Sequence, residues 1–159
     1  MARRLSPVGL EFVQSAPIRL VFAREVAAPP SAVFHALAED VEGWPAWFRA
    51  VTLARPTDGG AGREIKLIGG TRFQETILAA DPDEVYAYRV DETNAPGVRN
   101  LVEEWRLTPA GGGTRVQWTF AADGGAPFRL ALKVARPGLG MSFRGAVAKL
   151  DQRLTAAAA

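Results

Sequence analysis

Between residues 50 and 122 the chain runs through six successive stretches of strand-like composition, each closed by a turn signal, and only then enters one long helical segment. That order restricts the fold more than any other feature. The stretches are 50–55, 63–68, 71–80, 84–91, 100–108 and 114–122. They are separated by Thr57-Asp58-Gly59-Gly60-Ala61-Gly62, Gly69-Gly70, Asp81-Pro82-Asp83, Asn94-Ala95-Pro96-Gly97 and Pro109-Ala110-Gly111-Gly112-Gly113. Glycine supplies positive φ and proline presets its own, so each cluster can reverse the chain. Strands joined by such short turns pair antiparallel, because a parallel pair needs a crossover of a dozen residues or more. A meander follows.

Upstream, Ile18, Leu20, Phe22 and Val26 alternate with Arg19 and Glu25 across residues 18–26, the pattern of a half-buried strand. Ala28-Pro29-Pro30-Ser31 stops it. Ser31 can cap a helix running to about Asp40, on which Val33, Phe34, Leu37, Ala38 and Val41 recur at three- and four-residue spacing. Trp44-Pro45-Ala46-Trp47-Phe48 then suggests a second short helix begun by Pro45. After Asp123-Gly124-Gly125 the chain reads as helix, with Phe128, Ala131, Leu132 and Ala135 on one stripe and Phe143, Ala146, Val147, Leu150 and Leu154 on its continuation. Pro137-Gly138 predicts a break or kink between the two halves.

Helices segregated from an antiparallel sheet define an α+β architecture. Seven twisted strands curve, and their long amphipathic partner is about 10–12 Å wide. One such helix does not fill the concavity, so the space beside it is either packed by large side chains or left as a pocket, and an internal apolar cavity is expected there.

Composition narrows the chemistry. With no Cys and a single His among 159 residues, disulfides, thiolate nucleophiles and Cys- or His-based metal sites are excluded. No cofactor and no metal are expected. The formal net charge of +2 is too small to suggest nucleic-acid binding. From residue 126 onward, however, Arg129, Lys133, Arg136, Arg144, Lys149 and Arg153 face one acid, Asp151, leaving the acidic excess in the body of the chain. This basic segment is either a solvated face drawn to that body or a surface for peripheral membrane contact. No apolar run approaches the 18 residues or so of a membrane span, and no export signal is evident, so the chain is read as cytoplasmic. Both a monomer and a homodimer fit the sequence.

The opening strand followed by Ala27-Ala28-Pro29-Pro30-Ser31-Ala32-Val33-Phe34, the stretch from Asp40 to Trp44-Pro45-Ala46-Trp47-Phe48, the run Glu103-Glu104-Trp105-Arg106-Leu107-Thr108-Pro109 and Gly112-Gly113-Thr114-Arg115-Val116 together carry a resemblance. The chain resembles the START-like (SRPBCC, helix-grip) superfamily, in particular its polyketide cyclase/dehydrase and lipid-transport branch. The resemblance covers about residues 16–154, with 1–15 as an N-terminal extension of one domain. It implies a ligand pocket between sheet and C-terminal helix. It does not select among carriers, receptors and cyclases.

Alternation identifies the pocket candidates. Trp118 and Phe120 share a face with Val116, Glu103 and Trp105 share one with Leu101 and Leu107, and Tyr86 and Tyr88 share one with Val90. Phe73, Leu139 and Phe143 complete the apolar wall. Trp44, Trp47 and Phe48 form either a lid over the pocket mouth or part of the core. Glu103, a carboxylate on an apolar face, is the candidate for orienting a ligand or moving a proton, and its alternative is a structural residue satisfied by Arg72, Arg89 or a tyrosine hydroxyl. His35 falls off its helix's apolar stripe and reads as a surface residue. The expected function is binding of a hydrophobic small molecule such as a lipid, polyketide or isoprenoid, and the alternative is a polyketide cyclase or dehydratase using the same cavity.

Overall fold

The computed structural model describes residues 1–158. Its elements are β1 (Arg3–Arg4), α1 (Phe12–Ser15), β2 (Ile18–Val26), α2 (Pro30–Phe34), β3 (Val51–Thr57), β4 (Gly62–Leu67), β5 (Arg72–Asp81), β6 (Val85–Thr93), β7 (Val98–Ala110), β8 (Gly113–Gly124) and α3 (Ala126–Ala158). The sheet is antiparallel throughout, in the order β2-β8-β7-β6-β5-β4-β3. To these seven strands the N-terminus adds a short eighth, with β1 pairing β6 at Glu92 and Thr93. Positive φ at Asp83 and Gly111 turns the chain between β5 and β6 and between β7 and β8.

Register builds the interior. The pairs Phe22–Trp118, Trp118–Trp105 and Trp105–Tyr86 form one row across four strands. The pairs Leu20–Phe120, Phe120–Glu103 and Glu103–Tyr88 form the next. Both rows point toward α3, whose Phe143, Ala146, Val147 and Leu150 are buried against them. A smaller core of Leu5, Val90, Val98, Leu101 and Ala122 lies under the start of α3, where Phe128 and Leu132 pack. The remaining surface of the sheet is partly covered by α1, through the buried Val13.

Four local expectations are corrected. The helix after β2 begins at Pro30, with Pro29 at its N-cap and no side-chain cap, so Ser31 does not cap it. Proline's fixed φ and missing N–H suit that first position. The segment then widens through a π-helical turn at His35–Glu39, closed by the Asp40 amide donating to the His35 carbonyl. The tryptophan segment is a 3₁₀ helix, Val41–Ala46, with Pro45 inside it and not at its start. Finally, α3 runs without interruption through Pro137. Lys133, whose carbonyl loses its amide partner there, is exposed, so water can take the donor's place.

Candidate functional site

The space between α3 and the sheet is mostly filled by aromatic rings. Trp44 lies edge-on to Trp105 at 5.7 Å, Trp105 stacks on Trp118 at 5.5 Å, and Trp118 stacks on Phe143 at 5.9 Å between ring centres. What remains is a cavity of about 210 Å³. Its inner wall is formed by Trp44, Val51, Ile65 and Trp118, all buried. Its outer end is bordered by the partly exposed Ala50, Leu67, Phe73, Phe120, Leu139 and Ser142. A larger hollow of about 800 Å³ lies elsewhere, but exposed Asp81, Asp83, Glu84 and Arg106 border it and it opens to solvent. The inner cavity has the apolar walls a small-molecule site needs.

One part of that wall is polar. Arg63 of β4, 2% exposed, lines the cavity and donates from Nε to Glu75 of β5, itself 2% exposed. The two strands pair with Arg63 opposite Glu75. The guanidinium carbon sits 3.8 Å from the Tyr88 ring centre and 4.4 Å from that of Trp44, so the cation is held between aromatic faces. Arg63 Nη1 is the single buried side-chain nitrogen or oxygen without a hydrogen-bond partner among the described residues. Glu103 is better served: its Oε1 accepts from Tyr88 Oη at 2.8 Å and from Trp118 Nε1 at 2.9 Å, while Trp105 Nε1 donates to Tyr88 Oη at 3.1 Å.

Burial sets the protonation of this cluster. It pushes the Glu75 carboxyl up to about 7, with Glu103 adding to the shift and Arg63 opposing it. Burial also raises Glu103, against the hydrogen bond from Tyr88, the charge of Arg63 and the hydrogen bond from Trp118. Tyr88 is raised well above the usual phenol range by burial and by Glu103. Arg63 loses solvation by burial, but Glu75 and the two tyrosines hold it charged. One cation thus faces two carboxyls, and a single retained proton makes the cluster neutral. Among the described residues no group of three or more His, Asp or Glu side chains is arranged to hold a metal ion.

Of the residues singled out from the sequence, Trp44, Phe48, Phe73, Tyr88, Glu103, Trp118, Phe120 and Leu139 line the cavity. Trp47, Tyr86, Trp105 and Phe143 do not; they are buried in the packing around it. Trp44, Trp47 and Phe48 are at most 7% exposed and pack as core, not as a solvent-facing lid. Glu103 meets neither Arg72 nor Arg89, the latter being engaged with Asp91 and the Val8 carbonyl. His35 is exposed, 3.6 Å from Glu39. Sequence reasoning missed Arg63 and Glu75, and with them Ser142 and the apolar Ala50, Val51, Ile65 and Leu67. For the first two a signal existed: Arg63-x-Ile65-x-Leu67 and Phe73-x-Glu75-x-Ile77 each set a charge on an apolar face, as for Glu103.

The profile of the family described as polyketide cyclase / dehydrase and lipid transport matches residues 17–155. An uncharacterized protein of Mycobacterium tuberculosis strain H37Rv is 33% identical over 142 residues, which span 86% of this chain and 84% of that protein. Among solved structures, the protein XoxI from Bacillus cereus superposes with a TM-score of 0.70 at 16% identity, covering 86% of this chain and 95% of XoxI. A START superfamily protein from Mycobacterium smegmatis does so with a TM-score of 0.69 at 14% identity, covering 86% of this chain and 97% of that one. At such identities these two likenesses concern the fold.

Proposed function

Since the chain belongs to the polyketide cyclase / dehydrase and lipid transport family, we propose that it binds a compact, largely apolar molecule carrying one neutral acceptor oxygen, such as a ketone, ester or phenol. The observation that carries this reading is the cavity of about 210 Å³ with Arg63 in its wall and Nη1 unsatisfied. A buried donor without an acceptor costs about 1–3 kcal/mol, and more when charged, so a ligand oxygen that reaches it recovers energy the empty protein forfeits. The guanidinium carbon lies over the Trp44 and Tyr88 rings and Nη1 is buried, so a ligand oxygen reaches it on a shift of the guanidinium or of a ring. A carboxylate ligand would bring a further negative charge beside the Glu75 and Glu103 carboxyls, which favours neutral oxygen. Ligand sites for drug-sized molecules span about 300–1,000 Å³, so this cavity suits one or two rings better than a sterol or a diacyl lipid.

Calorimetric titration with tetralin, 1-tetralone and tetralin-1-carboxylate at about pH 8 tests the reading. The ketone should bind about tenfold more tightly than the hydrocarbon, and the carboxylate more weakly than the ketone. Equal affinity for ketone and hydrocarbon would remove the role of Arg63 and leave apolar binding; no heat from any of the three would remove both.

A cyclase or dehydratase acting in the same cavity is the second reading. The observation favouring it is Glu75, whose carboxyl, raised to about 7, suits proton transfer near neutrality better than Glu103, which two donors hold as a fixed acceptor. Turnover of a poly-β-ketone substrate that disappears in Glu75→Gln while tetralone binding survives supports it. Turnover unchanged in that variant excludes Glu75 as the acid–base group.

A further inference from the structure

The first half of α3 exposes apolar side chains where a helix facing water normally carries polar ones. Leu130 is 64%, Val134 74% and Met141 68% exposed. At about 100° per residue these three fall within about 40° of one another around the axis, a straight stripe about 16 Å long. Lys133 and Arg144, both exposed, lie along one flank of it, whereas Arg136 is about 140° away around the axis, its guanidinium carbon 5.9 Å from the Phe22 ring centre. The other flank carries the small residues Ala131, Gly138 and Gly145. No acid precedes Asp151 in α3, and the Asp151 carboxylate is occupied by the amides of Ala27 and Ala28. Ile68, 59% exposed on the turn after β4, shares a surface hollow with Met141, Arg49 and Lys149 and extends the patch.

We propose that this stripe and its basic flank form a docking surface for an anionic lipid bilayer. Phosphate oxygens at the headgroup level pair with Lys133 and Arg144, and with Arg49 and Lys149 beside Ile68, while Leu130, Val134, Met141 and Ile68 enter the boundary with the acyl chains. Charge selects this occupant: a second copy pressed on the same stripe meets like charge, whereas an anionic surface meets its complement. Ala50 and Ser142 border both the outer end of the cavity and the surface hollow that holds Ile68 and Met141, so docking brings that end close to the bilayer. The surface is independent of what the cavity holds.

Co-sedimentation with vesicles tests the proposal, using phosphatidylcholine alone and a mixture containing about 30% phosphatidylglycerol. The full chain should sediment with the mixture, not with phosphatidylcholine, and should be released as salt rises from about 0.05 to about 0.5 M. The variants Lys133→Gln/Arg144→Gln and Leu130→Gln/Val134→Gln/Met141→Gln, all at exposed positions, should each lose about tenfold in vesicle affinity with unchanged thermal midpoints. Three results would overturn it: no sedimentation with either vesicle, full binding by the apolar triple variant, or a concentration-dependent dimer in ultracentrifugation that the apolar variant abolishes. The last would assign the stripe to a second copy of this chain.

Discussion

Glu103 and Glu75 are carboxylates of similar burial with different neighbours, and the difference decides what each contributes. Glu103 is the acceptor on which Tyr88 and Trp118 converge. Replacing it by Leu strands two buried donors and should cost about 1–3 kcal/mol in urea unfolding. Glu103→Gln, whose amide oxygen still accepts, should lose clearly less. Glu75 instead makes stability depend on pH. Its carboxyl moves from the usual 4.5 to about 7 on folding, in a setting of Arg63, Glu103 and Asp91, so between those values the folded chain keeps a proton the unfolded chain has released. Its contribution is therefore full below about pH 4.5, falls as pH rises toward 7 and is flat above, with an upper bound of about 3 kcal/mol. Glu103, also raised, acts in the same direction. Denaturant midpoints measured from pH 5 to 8 should show this decline, and Glu75→Gln should flatten it; an identical slope in the variant would place the titration elsewhere. Alternation in the sequence shows which face each charge occupies. It does not show register, and only the pairing of β4 with β5 sets Arg63 opposite Glu75, so the ion pair was not legible from either strand alone.

At the scale of elements, strands were read more easily than helices. All seven long strands emerge within about three residues of where period-two alternation and turn residues put them, because each is bounded by glycine or proline chemistry that is local. The segment between β2 and β3 was read less well, since the caps and turns there are settled by tertiary contacts, such as the Trp44 Nε1 bond to the Leu37 carbonyl. Pro137 shows the same limit: a local rule predicts a break, and the helix continues because its exposed surface lets water replace the missing donor. Pro137→Ala should therefore raise the thermal midpoint, by up to about 3 kcal/mol of stability. A lower midpoint would mean that the proline fits a bend the alanine cannot share. Gly113 is required for a different reason, close approach: a Cβ there would lie 1.9 Å from the Val26 carbonyl oxygen. Gly113→Ala must force β8 and β2 apart.

For the molecule as a whole, the sheet is wider than its covering helix, yet the difference is met mainly by tryptophan and phenylalanine. Composition announces those rings without saying whether they stand aside or fill the space. Their filling most of it leaves about 210 Å³. Phe143, fully buried, stacks on the cavity-lining Trp118 and fills the space next to the cavity. Phe143→Ala should lose about 3–5 kcal/mol of stability and admit three-ring ketones that the parent protein rejects. Rejection by both would show that the rings collapse into the vacancy.

The pairing of β2 with β8, Ile18 against Ala122, joins the first long strand to the last. During synthesis the early strand must therefore wait, unpaired along that edge, until more than a hundred further residues have left the ribosome. Loop closure of that length makes assembly slow and concentrates it at the end of translation. A nascent chain halted before residue 113 should remain sensitive to protease along its whole length, and chaperones should find residues 18–26 the most persistent of its open segments.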